Sequence, residues 1–82
     1  MEELLQKLIL KVYQINKNTK HDVFLNFSGH VNTFDVNYHK NGWSEDNKAI
    51  NLALCNDLTC KNISRVINEL EKLEKGEDIN VQ

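Results

Sequence analysis

Three histidines recur at nine-residue intervals, His21, His30 and His39, within HDVFLNFSGHVNTFDVNYHKNGW, a stretch that also holds Trp43 and every phenylalanine of the chain. Imidazole is a common zinc ligand and general base. Thiols stand at Cys55 and Cys60, and carboxylates at Asp22, Asp35 and Glu45. The chemistries on offer are therefore a metal centre, a thiol nucleophile beside an imidazole, or carboxylate acid–base work. Each needs side chains that converge on one point, so the elements that carry them decide the matter.

Residues 2–16 have helical periodicity: Leu4, Leu5, Leu8, Ile9, Val12 and Ile15 fall on one side, with Glu3, Gln6, Lys7, Lys11 and Gln14 elsewhere. Glu2 and Glu3 at the start and Lys17 at the end suit the helix dipole, and the polar run NKNTKH closes it. From Asp22 the period becomes two. Val23, Leu25 and Phe27 alternate with polar neighbours, as do Phe34, Val36 and Tyr38, and then Ile50, Leu52 and Leu54. Asn41-Gly42 is a turn dipeptide between the second and third runs. Beyond Leu58 the stripe Ile63, Val66, Ile67, Leu70 and Leu73 is helical again, with Thr59 or Asp57 as N-cap and Gly76 as the stop.

The expected fold class is α+β, in the order α-β-β-β-α: a three-stranded antiparallel meander with both helices packed on one face. Residues 1–76 form a single domain, and 77–82 are expected to be a flexible C-terminal tail. Matching apolar faces predicts the register, because a one-residue slip would turn every side chain over. Phe27, Leu25 and Val23 should pair with Phe34, Val36 and Tyr38, and these in turn with Leu54, Leu52 and Ile50.

That frame disperses the histidines. His30 sits at a hairpin tip, roughly 30 Å from His39 at about 3.3 Å per residue. His21 and His39 share the other end but have opposite parity, and His39 faces Asp22 across the pair. They are expected to be surface and turn residues, with no metal and no cofactor. The Cys55–Cys60 spacing, with no second Cys or His cluster, is a poor zinc signature and suits reduced thiols in a cytoplasmic protein. No nucleotide loop is present, and Asp22, Asp35 and Glu45 read as solvated acids, so the expectation is not an enzyme.

The formal net charge of −2 gives no bulk attraction to nucleic acid or to an anionic membrane, and no twenty-residue apolar run is present. Twelve Asn and nine Lys against one Arg, two Ala and no Pro favour A/T-rich codons, as in a low-GC bacterium or its phage.

With the helices on one side, the outward face carries Asp22, Phe24, Asn26, Ser28, Thr33, Asp35, Asn37, His39, Ala49, Asn51, Ala53 and Cys55. It reads either as a solvated sheet or as a contact surface whose partner-binding residues are Phe24, Asn26, Asp35, Asn37, His39 and Trp43. Trp43 reads equally as a cap on one end of the core.

The pieces HDVF, FSGHV and KNGW after an amphipathic helix resemble small proteins encoded by phages and prophages of Gram-positive bacteria, over about residues 4–55. The resemblance implies binding to, and blocking of, a bacterial host protein, defence systems such as CRISPR effectors included. In that role Glu69, Glu71, Glu74, Glu77 and Asp78 would imitate a nucleic-acid backbone. A second resemblance is to double-stranded-RNA-binding domains, which share the element order. GHVNTFDV supplies Gly29, His30, Phe34 and Val36 of that family's loop and strand, without its proline. KNISR retains only Lys61 and Arg65 of its basic run, which argues against phosphate neutralisation. The resulting expectation is a cytoplasmic protein-binding module, monomer or homodimer. The alternative is a degenerate nucleic-acid module using His30, Lys61 and Arg65.

Overall fold

Both helices form where apolar residues recur on one side and polar groups close the ends. In the computed structural model, which describes residues 1–44 and 48–76, α1 spans Glu2–Asn18 and α2 spans Cys60–Glu74. Glu45 and the expected tail at 77–82 lie outside the described residues. Thr19 ends α1: its backbone N–H and its hydroxyl both donate to the Ile15 carbonyl, at 3.0 and 2.7 Å. Of the two expected N-caps for α2, Thr59 is the one used; its hydroxyl accepts from the Asn62 N–H at 3.1 Å. Gly76, at φ +79°, turns the chain out of α2 with its N–H on the Leu73 carbonyl.

The strands are β1 (Asp22–Ser28), β2 (Thr33–His39) and β3 (Ile50–Asp57), in an antiparallel meander with β2 central. The expected β1–β2 register is found throughout: Val23 pairs with Tyr38, Leu25 with Val36 and Phe27 with Phe34. Both helices cover the inward side. The core is Leu8 and Ile15 of α1, Val23, Phe34, Val36, Tyr38, Leu52 and Ala53 of the sheet, and Ile63, Val66, Ile67, Leu70 and Leu73 of α2. A Lys11–Glu74 ion pair at 3.0 Å joins the helices. No described helix is long and apolar enough to cross a membrane.

Three expectations are corrected. The first concerns β3. Tyr38 pairs with Ile50 as expected, but Val36 meets Ala53 and Phe34 meets Asn56, because the register shifts twice. Each shift inserts a residue in β3, and one insertion reverses the alternation. Leu52 and Ala53 are therefore both buried, and Leu54, expected inward, is 66% exposed.

The second correction is Ile9, which is exposed. At 100° per residue it lies about 90° from the middle of the α1 stripe, on the margin it shares with Tyr13. The third is Phe27, inward by parity yet 45% exposed. Burial along β1 fades from Val23 through Leu25 to Phe27, so helical cover ends before the hairpin tip.

Candidate functional site

The outward face is built on β1 and β2, whose unbroken register alternates side chains strictly between faces. Phe24 is exposed and meets the His39 ring edge-on, with centroids 5.7 Å apart. Asn26 is exposed beside it, and Asn37, opposite Phe24, is half-buried.

Trp43 is held beside this pair by its backbone: its N–H donates to Asp22 Oδ2 at 2.7 Å, and Asp22 lies opposite His39. The turn that delivers Trp43 has Asn41 at φ +61° and Gly42 at φ +104°, and the Gly42 N–H donates to the His39 carbonyl. A Cβ at Gly42 would stand 3.3 Å from the Lys20 carbonyl oxygen, so both backbone angle and space call for glycine here. Trp43 is 63% exposed, which decides against its reading as a cap on the core.

His21 lies on the other side of the same end. Its ring meets Tyr38 edge-on at 6.0 Å, and its Nδ1 accepts the Asn41 N–H at 3.0 Å. Partial burial, then the nearby Lys40 ammonium, lowers its pKa below the ordinary imidazole value. A neutral ring with its proton on Nε2 is the tautomer that this hydrogen bond requires. His21 thus serves the turn that presents Trp43. His30 is exposed in the β1–β2 turn, so the three imidazoles occupy three separate places. Among the described residues no group of three His, Cys, Asp or Glu side chains is placed to hold a metal ion.

Asp35 has a structural partner. Its Oδ1 accepts the Cys55 N–H at 2.6 Å, where Cys55 takes φ +51° at the second register shift. It is thereby half-buried and turned toward β3, while Leu54 becomes the large apolar group of that edge. Sequence reasoning missed Leu54, since its alternation with Ile50 and Leu52 pointed inward; the two bulges that expose it leave no mark in residue type.

The residues of the nucleic-acid alternative share one end of the molecule, where the Leu58 N–H donates to the Asn32 carbonyl and brings the start of α2 to the hairpin turn. His30 and Lys61 are exposed there. Arg65 is committed elsewhere, donating to the Leu52 carbonyl at 2.8 Å, and in the amide orientation that satisfies Asn56 it also meets that side-chain oxygen at 3.0 Å. Of the acidic string, Glu74 pairs with Lys11 and Glu69 lies 3.8 Å from Lys72. Glu77 and Asp78 lie outside the described residues.

Compared with known proteins, the chain matches no family model, no curated protein and no solved structure.

Proposed function

We propose that this chain is a small non-enzymatic protein-binding module, a phage-type modulator of a bacterial host protein, and that it engages its target with the outward sheet face. The observation that carries this reading is the exposed Phe24, packed edge-on against the half-buried His39 ring, with the exposed Trp43 tethered beside them through Asp22. Exposed aromatics on a rigid sheet are good anchors: they bring large contact area at little entropic cost. Asn26 and Asn37 offer both donors and acceptors around them. The phage character rests on the sequence resemblance, and anti-defence activity is one form that it would take.

The test is affinity capture from a host lysate with the intact chain, Phe24→Ala and Trp43→Ala, alongside thermal melting of each. Both side chains are exposed, so each substitution should leave Tm nearly unchanged while recovery of the target falls about tenfold or more. Undiminished capture by both variants would remove this face from the site.

The nucleic-acid reading is favoured only by the exposed His30 and Lys61 at one end. The engagement of Arg65 with Leu52 removes a phosphate contact from it. A shift of labelled duplex RNA that weakens steeply with salt would support it over protein binding.

A further inference from the structure

The free edge of β1 has a self-complementary geometry. The Val23 N–H donates to Asn16 Oδ1 at 2.7 Å, and the Val23 carbonyl accepts from Asn16 Nδ2 at 3.0 Å. Both Val23 backbone groups therefore point away from β2. Because β1 keeps an unbroken register, those of Leu25 and Phe27 point the same way. No described residue bonds these groups on that side. Phe27 is inward by parity yet 45% exposed, so the edge is open both to hydrogen bonding and to apolar contact.

Exposed edges are usually blunted by charge, proline, a bulge or a covering element. β3 has its bulges and the Arg65 guanidinium on the Leu52 carbonyl. From Val23 to Ser28, β1 has no charge, no proline and no bulge, and its cover is Asn16 at Val23.

We propose that the occupant of this edge is a second copy of the chain, paired β1 to β1 in antiparallel fashion about a two-fold axis at Asn26. Register selects that axis. Pairing centred on Leu25 sets Phe27 against Val23, whose groups Asn16 has already taken. Pairing centred on Phe27 sets Leu25 against Gly29, beyond the strand end. Centred on Asn26, Leu25 meets Phe27 of the second copy and Phe27 meets its Leu25. All four open N–H and C=O groups of each copy are then satisfied, and each exposed phenyl ring is covered by the other copy's Leu25. The product is a continuous six-stranded sheet with two outward faces side by side. This inference rests on the edge and not on the face reading above, and its test involves no host protein.

In a Cys55→Ser/Cys60→Ser background, Asn26→Cys puts two thiols across the axis at a non-hydrogen-bonded pair about 4.5 Å apart at Cα, within disulfide range. Phe24→Cys places its two thiols ~14 Å apart, since Phe24 would lie opposite Ser28 of the other copy. Mild oxidation should cross-link the Asn26→Cys chain and spare the Phe24→Cys chain. Sedimentation equilibrium of the unaltered chain should approach twice the monomer mass as concentration rises. Phe27→Pro removes one N–H at each of two symmetric places on the edge, where proline is tolerated, and should weaken dimerisation about tenfold or more. If Phe27→Pro fails to fold, the cross-linking comparison still decides. A monomer at every concentration, equal cross-linking at positions 24 and 26, or a dimer that a folded Phe27→Pro chain retains in full would each overturn the proposal.

Discussion

β1 and β3 are both edge strands of one sheet, yet the fold closes them by opposite means. β1 keeps its register along seven residues and is capped from outside, where the Asn16 amide imitates a neighbouring strand at Val23. β3 shifts register twice, holds Cys55 at φ +51° against the Asp35 carboxylate, and receives Arg65 on the Leu52 carbonyl. An external cap costs one side chain and protects one residue. Bulges protect by twisting the strand itself, and they change which side chains the strand buries. The difference leaves β1 with open polar groups and an exposed phenyl ring, and leaves β3 with an exposed leucine.

The sharpest way to break this comparison is at two leucines of the same parity in β3. Leu52 is 6% exposed and Leu54 is 66% exposed, although an unbulged strand would bury both. Leu52→Ala should cost about 2–4 kcal/mol and Leu54→Ala about 0.5 kcal/mol or less, read by urea denaturation. Equal losses at the two sites would mean that β3 keeps simple alternation.

Asn16→Ala tests the other edge. It unpairs the N–H and C=O of Val23 and should cost about 1–2 kcal/mol, or a Tm lower by about 5–10 °C in a domain of this size. If dimerisation occurs at β1, the same change opens Val23 and permits the register centred on Leu25. Cross-linking through Asn26→Cys should then become less selective against neighbouring positions. The smallest effect is expected at Cys55. Glycine accepts a positive φ without the Cβ clash, so Cys55→Gly should raise stability by about 0.5–1 kcal/mol. A loss there would mean that the Cys55 side chain contributes more than its backbone angle costs.

The parts legible in the sequence were those where one physical demand acted alone. The β1–β2 register followed from three apolar pairs that match in one alignment only, and the α2 stripe from five residues at helical spacing, all of them buried. The scattering of the histidines followed from the same alignment: His21 meets Tyr38 on one side, His39 meets Phe24 on the other, and His30 lies in the turn. Trp43 was legible as a candidate but not its exposure, because loop residues have no periodicity to orient them.

Composition and period alone determined the α+β class, the order of the elements, and one wet and one dry side of the sheet, since alternation and helical spacing are local properties of the backbone. Tertiary structure alone decided that Asp35 would turn to clamp Cys55, that Arg65 would be spent on Leu52, that Leu54 would face solvent, and that no described residue would bond the β1 edge beyond Val23. Those outcomes depend on where two helices end over a twisted sheet. That is set by packing between segments far apart in the chain, which no local pattern encodes.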